Sequence, residues 1–221
     1  MLIHPWDAAF HDGEWRQWLS EGRDFGQLVV NNAPGEPPVV VPSHFLLEGD
    51  TVLLHFARAN PVWKALEAAP TVLISVIDDY TYIPSGWRAK DGEPEQNGVP
   101  TAYYSAVHLV GDAEIVDDPA EKAELLTRQL AHHQPEGGHA QVAAGAPPYG
   151  RQLSVIRGIR VQLTSVAAKF KYDDHRPGEQ RERIAHRLAD RAGHNDANAA
   201  KQQLRRLRES IERDGGGPPA T

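Results

Sequence analysis

The sequence predicts a mostly β, α+β protein: a small β-barrel of about six antiparallel strands with helices added at its periphery. Three observations predict it. Short β-branched and apolar runs recur along the first 170 residues, separated by clusters of Pro, Gly, Asn and Asp. Only a few short stretches between them carry helical spacing. From Arg176 onward the texture changes to an Arg-rich amphipathic pattern with few large apolar residues.

Asp12 to Gly22 reads as a short helix, with Asp12 as cap and Trp15, Trp18 and Leu19 on one face. Phe25 to Val30 is the first strand, and Asn31-Asn-Ala-Pro-Gly-Glu-Pro-Pro38 is turn chemistry. Val39 to Leu47 and Thr51 to Ala57 form a hairpin pattern around Gly49-Asp50. A helix from Pro61 to Ala69 is closed by Pro70, and Thr71 to Ile77 is a fourth strand. Asp78 to Val99 is too long for a simple hairpin loop, so a functional or flexible segment is expected. Pro100 to Val116 reads as a strand ending near Gly111, and Asp117-Asp118-Pro119 starts a helix that runs to about His133. Gln134 to Gly150 is rich in Gly, Pro and Ala and is expected to be mobile. In the strand Val155 to Phe170, Ile159, Val161 and Leu163 alternate with Arg160, Gln162 and Thr164. Ile184 and Leu188 mark one helical stripe after Arg176, and Leu204, Leu207 and Ile211 another, with Gly193-His194-Asn195 between them. The expected organisation is a barrel domain over residues 1–175, a C-terminal helical extension over 176–213 and a disordered tail over 214–221.

The absence of cysteine excludes disulfides, iron–sulfur clusters, thiolate zinc sites and a Cys nucleophile. No apolar stretch is long enough to span a bilayer, and the N-terminus lacks the pattern of a signal peptide. A cytoplasmic protein with no membrane partner is the expectation. The formal net charge is −7, but residues 176–214 carry ten Arg or Lys against seven Asp or Glu. Most of the chain should therefore repel a nucleic-acid backbone, and direct DNA binding is doubtful.

The most informative stretch is His55-Phe-Ala-Arg-Ala-Asn-Pro-Val-Trp-Lys64. It leaves the apolar run Val52-Leu53-Leu54 and enters a helix with Asn60 as N-cap and Pro61 at the first helical position. Arg58 lies just before that helix and Lys64 one turn inside it. Side chains on a helix lean toward its N-terminus, so Lys64 can reach back toward Arg58. Two cations, an amide and unpaired backbone donors suit a phosphate. An ordinary capped helix with solvated cations fits the same spacing.

The order of motifs resembles the PaiB-type, FMN-binding negative transcriptional regulators, which belong to the split-β-barrel flavoproteins. The residues that carry the resemblance are Phe25-Gly26-Gln27-Leu28-Val29, Val41-Pro42-Ser43-His44, the His55-to-Lys64 segment, Val99-Pro100-Thr101, Tyr104-Ser105-Ala106-Val107-His108-Leu109-Val110-Gly111 and Lys169-Phe170-Lys171. The resemblance implies a split β-barrel and a homodimer with FMN in a groove between subunits. By position it implies that Ser43, His44 and Phe45 flank the flavin ring. The corner with His55, Ala57, Arg58, Asn60 and Lys64 would hold ribityl and phosphate, and Ser105 and Ala106 would lie near the ring edge. Two segments depart from the family pattern: Ala102-Tyr103 stand where Trp and Asn are usual, and Tyr172-Asp173-Asp174-His175 where Leu-Ser-Gln-Asn is usual.

Eleven histidines raise the question of a metal. His132-His133 with His139, and His175 with Asp173 and Asp174, are the densest groups, but neither has a zinc-motif spacing, and no metal site is expected. His44, His55 and His108 fall on strands near the implied groove, as axial ligands of a haem or as hydrogen-bonded, half-buried side chains. Trp63, Trp87, Tyr80 and Tyr82 are either core or a cover for a flat ring. No dinucleotide fingerprint, Walker loop or catalytic-triad signature stands out, and no catalytic residue is assigned. The expected function is an FMN-binding regulator or redox protein, open to small-molecule ligands. The alternative is an enzyme on the same fold, either a flavin oxidoreductase or a haem-binding oxygenase.

Overall fold

A computed structural model describes residues 1–215. Its strands are β1 (Phe25–Val30), β2 (Val39–His44), β3 (Leu46–Glu48), β4 (Thr51–Ala57), β5 (Thr71–Ile83), β6 (Thr101–Val116) and β7 (Ile156–Lys171). Its α-helices are α1 (Gly13–Ser20), α2 (Val62–Ala68), α3 (Pro119–His133), α4 (Tyr149–Ser154), α5 (Gly178–Arg191) and α6 (Asp196–Gly215). The strands form one antiparallel sheet in the order β2-β1-β5-β6-β7-β4-β3, which does not close. The mostly β, α+β split-barrel expectation holds. Of the tail expected to be disordered, residues 214 and 215 close α6 and residues 216–221 lie outside the described residues.

The chain divides into two compact units. A central unit comprises Arg16–Val76 and His108–Ala167, and a terminal unit comprises Met1–Trp15, Ile77–Val107 and the chain from Ala168 onward.

In the central unit, β1 pairs with β2 so that Phe25 faces His44 and Gly26 faces Ser43. β4 pairs with β7, with His55 opposite Gly158. The extra strand relative to expectation is β3, because Val39 to Leu47 breaks at Phe45, whose side chain is buried. β6 runs on through Gly111 to Val116. The glycine permits this: a Cβ there would collide with the carbonyl of Gln162 on β7. Asp118 caps α3 by accepting from the backbone N–H of Ala120 and Glu121 at 2.9 and 3.1 Å. The Gly/Pro/Ala-rich connection ends in α4, which the sequence did not reveal. Val142 and Leu153 pack there with Ala123 of α3.

In the terminal unit, β5 continues past Ile77 to Ile83. Asp79 takes a positive φ of 59°, and the alternation of the strand changes phase around it. Val72, Ile74 and Val76 are buried before it, Thr81 and Ile83 after it. Ile77, Tyr80 and Tyr82 are left exposed. α5 and α6 follow the two predicted stripes through Ile184, Leu188 and Leu207, all buried, whereas Ile211 is exposed.

Candidate functional site

The strand-to-helix corner forms as expected in outline. Asn60 Oδ1 accepts from the Val62 N–H at 3.0 Å, and the Ala57 carbonyl accepts from Asn60 N–H and from Trp63 Nε1, both at 2.9 Å. Trp63 is buried, so it pins the helix to the strand rather than covering a ring. The helix is only seven residues long, which leaves little macrodipole. The cations must therefore supply the positive field.

Arg58 is exposed and pairs bidentately with Asp117, its Nη1 at 3.1 Å from Oδ2. The same carboxylate faces Arg157 Nε at 3.4 Å and Lys122 Nζ at 3.5 Å. The hydrogen bond from Arg58 holds the Asp117 carboxyl below the usual carboxylate range. Lys122 is buried and also donates to the carbonyls of Leu153 and Ile156, at 2.7 and 3.2 Å. Arg157 pairs with Glu67 at 3.1 Å and lies 4.9 Å over the Trp63 ring. Lys64 is exposed and has no ion-pair partner among the described residues. Three cations, Arg58, Arg157 and Lys122, thus converge on Asp117, with Glu67 as the second carboxylate, an excess that suits a bound dianion. Arg157, Lys122 and Asp117 were not legible in the sequence, because they come from β7, α3 and the β6–α3 junction.

Beside this corner lies a pocket of about 300 Å³ lined by His44, His55, Leu126, Gln129, Leu130 and His133. His55 is half-buried, and its Nδ1 lies 2.7 Å from Gln129 Oε1. Gln129 Nε2 donates to the Leu53 carbonyl at 3.0 Å, so its oxygen must accept and His55 Nδ1 carries the proton. Burial lowers the His55 pKa. Its other nitrogen, Nε2, is then a lone-pair donor. The His44 ring stands 5.6 Å from His55 and 4.8 Å from His133.

The other anticipated ring contacts fall in different surroundings. The Ser43 hydroxyl donates to the His44 carbonyl at 2.8 Å, and Phe45 is buried. Ser105 and Ala106 are buried in the terminal unit, where Ser105 Oγ lies 2.7 Å from the Tyr172 hydroxyl and 3.3 Å from Asp79 Oδ2. Thr101 accepts from Lys171 at 2.5 Å. His108 is half-buried in the central unit.

The two departures from the family pattern belong to one buried network in the terminal unit. The Tyr103 hydroxyl donates to Asp173 Oδ2 at 3.1 Å and accepts from Gln203 of α6 at 3.0 Å. Burial, with Asp173 beside it, pushes the Tyr103 pKa far up, so it stays a donor. The Tyr103 and Tyr172 rings meet edge-on at 5.6 Å. Asp173 binds Arg88 at 2.7 and 3.1 Å, and Asp174 binds Arg181 and Arg206, both at 2.6 Å.

A family model described as "Putative FMN-binding domain" matches residues 1–165. The chain belongs to this family, of the PaiB type. It is 28% identical over 153 residues to the "Protease synthase and sporulation protein PAI 2" of Bacillus subtilis (strain 168), covering 67% of this chain and 70% of that protein. Among solved structures, it is similar in fold to the flavocytochrome Anf3 from Azotobacter vinelandii, with a TM-score of 0.55 and 19% identity over 75% of this chain and 70% of that one. The FAD and heme binding protein from Mycobacterium smegmatis gives a TM-score of 0.56 and 17% identity, over 75% and 73% of the two chains.

Proposed function

We propose that the protein binds FMN through the cationic corner of the central unit and acts as a flavin-dependent regulator or redox protein. The observation that carries this reading is that the family match over residues 1–165 includes a corner with a surplus of cations. The donor set fits a phosphate monoester. Arg58 offers a planar fork, Lys64 an uncommitted ammonium, and Asn60 an amide NH₂ whose oxygen is already in use. A phosphate would compete with Asp117 for Arg58, and an ion pair so exposed yields easily. His44 and His55, which line one pocket, and Ser43 next to His44 are the polar groups for the rest of the cofactor. Bound flavin supplies the redox chemistry, while the chain binds and orients it.

The test is a fluorescence titration of purified protein with FMN and with FAD. Saturable FMN binding, not surpassed by FAD, is expected, because the corner is one compact anion site. No saturation with FMN at tens of micromolar would refute the reading. The absorption spectrum of freshly purified protein decides against the haem alternative if it shows flavin bands and no Soret band. That alternative has one favourable feature, the free Nε2 of His55 in a pocket otherwise lined by His, Leu and Gln.

The exposed Ile77, Tyr80 and Tyr82 on β5 support a homodimer, since a strip of this kind calls for a cover. Light scattering should give twice the chain mass. Direct DNA binding is expected to be weak. Two of the C-terminal arginines that would neutralise phosphates, Arg181 and Arg206, are buried against Asp174. A gel shift at moderate salt should show no specific complex.

A further inference from the structure

The histidine pair at the end of α3 meets a carboxylate far away in the sequence. Asp24 Oδ2 lies 3.0 Å from His132 Nε2 and 3.3 Å from His133 Nδ1. One donor atom from each of the three residues lies within 4.8 Å of the others. Among the described residues no other group of three His, Asp or Glu donors converges so closely. His139, the neighbour that sequence proximity offers, instead has its Nδ1 at the carbonyl of Ala140.

We propose that Asp24, His132 and His133 bind one divalent first-row transition-metal ion. Two imidazoles and a carboxylate form a donor set that suits zinc and iron(II). An ion about 2.0–2.2 Å from each donor needs donors separated by roughly 3.0–3.5 Å. The two distances to Asp24 Oδ2 already fall in that range. Solvation at a helix C-terminus accounts for a histidine pair, but not for both rings turning onto one oxygen of a residue 108 positions away.

The surroundings make this an open site. Asp24 and His132 line a cavity of about 270 Å³ with Phe45, Leu47 and Leu19, while His133 lines the pocket with His44 and His55. Three protein ligands leave coordination positions for water or a small ligand from either cavity. The His44 ring, 4.8 Å from that of His133, is placed to orient it or to serve as a further ligand. None of the three ligands belongs to the phosphate corner, although His133 shares a pocket with His44 and His55.

The experiment uses untagged, metal-stripped protein titrated with Co²⁺ by visible absorption and with Zn²⁺ by calorimetry. One ion per chain is expected, with ligand-field bands from Co²⁺. The substitutions His132→Ala, His133→Ala and Asp24→Asn should each weaken binding by roughly tenfold or more. His139→Ala should leave it unchanged. All these positions are at least partly exposed, so circular dichroism melts should confirm that the variants fold. Absence of saturable binding at micromolar ion, or binding that survives the double variant His132→Ala/His133→Ala, overturns the proposal. FMN titration of the same variants separates this outcome from failure of the flavin reading.

Discussion

Arg206 in the terminal unit and Arg58 in the central unit are both guanidiniums bound to carboxylates, yet their settings differ. Arg206 is fully buried. It donates to Glu14 at 2.5 Å, to Asp174 at 2.6 Å and to the Ala8 carbonyl at 2.9 Å, and it lies 3.9 Å over the Phe10 ring. Glu14 also binds Arg205 at 2.6 Å, and Asp174 also binds Arg181. Every charge there has several partners, and together they tie the N-terminal segment, the end of β7 and the two C-terminal helices into one unit. Arg58 has one carboxylate partner, a surplus of cations beside it and open solvent around it. Paired, desolvated charge specifies structure; unbalanced, exposed charge is available to a ligand.

The largest expected effect follows from breaking the buried network. Arg206→Ala leaves Glu14 and Asp174 buried with reduced compensation, and such losses cost about 3–5 kcal/mol. Denaturant unfolding should show that loss, and limited proteolysis should then release the C-terminal helices. Burial pushes the Glu14 carboxyl up, but Arg206 and Arg205 outweigh it and hold it below its ordinary value. If Arg206→Ala unfolds with less than about 1 kcal/mol of lost stability, the network is not what holds these helices.

A second, smaller effect concerns pH. Asp196, the first residue of α6, accepts from Thr81 at 2.5 Å, from Arg191 at 2.6 and 2.7 Å and from the Gly193 N–H at 2.9 Å. The Arg191 hydrogen bonds hold its carboxyl down to about 2, against an ordinary 3.8. A depressed folded-state pKa adds stability that is complete above pH 3.8 and is lost as pH falls toward 2. The contribution is on the order of 2 kcal/mol. Unfolding of Asp196→Asn should lack that acid-side slope while the parent protein retains it.

These contrasts also show how far the sequence was legible. The strands and the corner were readable because local signals encode them: β-branched runs, Gly49-Asp50, and Asn60-Pro61 before a helix. β3 was missed because a buried Phe45 interrupts an otherwise continuous apolar run. The extension of β5 was missed because Asp79 reverses the alternation that would have marked it. Nothing local marked any arginine of α5 and α6 as buried, because Glu14 and Asp174, which neutralise Arg206, sit elsewhere in the chain. Asp24 was invisible beside His132 and His133 for the same reason. Tyr103 and Tyr172-Asp173-Asp174 were legible only as departures from a family pattern, and their common purpose appears once they are seen in one network.

The third prediction moves to the exposed corner, where stability should hardly respond. Arg58→Ala/Lys64→Ala should melt close to the parent protein, because neither side chain is buried. Its FMN affinity should fall by roughly a hundredfold if both cations meet phosphate. A melting temperature that drops as far as that of Arg206→Ala would erase the distinction between the two regions.

The smallest effect, and the sharpest on the site, comes from Asp117. This carboxylate holds Arg58 in a fixed fork, but it also places a negative charge where a phosphate would bind. Replacement by Asn keeps an amide oxygen at this position, Lys122 retains two carbonyl acceptors and Arg157 retains Glu67, so no cation is left without an acceptor. Asp117→Asn should therefore leave the melting temperature nearly unchanged. The two electrostatic roles of Asp117 predict opposite signs for binding. As a competitor, its loss frees Arg58 and tightens FMN by a few-fold; as an organiser, its loss lets Arg58 swing into water and weakens FMN. Competition is the expected winner, because the pair is exposed and water replaces Asp117 readily, whereas repulsion between Asp117 and a bound dianion persists at contact distance. Titration of Asp117→Asn with FMN at low and moderate salt decides it. Tighter binding whose advantage shrinks with salt supports competition, and weaker binding at both salts would show that orientation of Arg58 by Asp117 is what the corner requires.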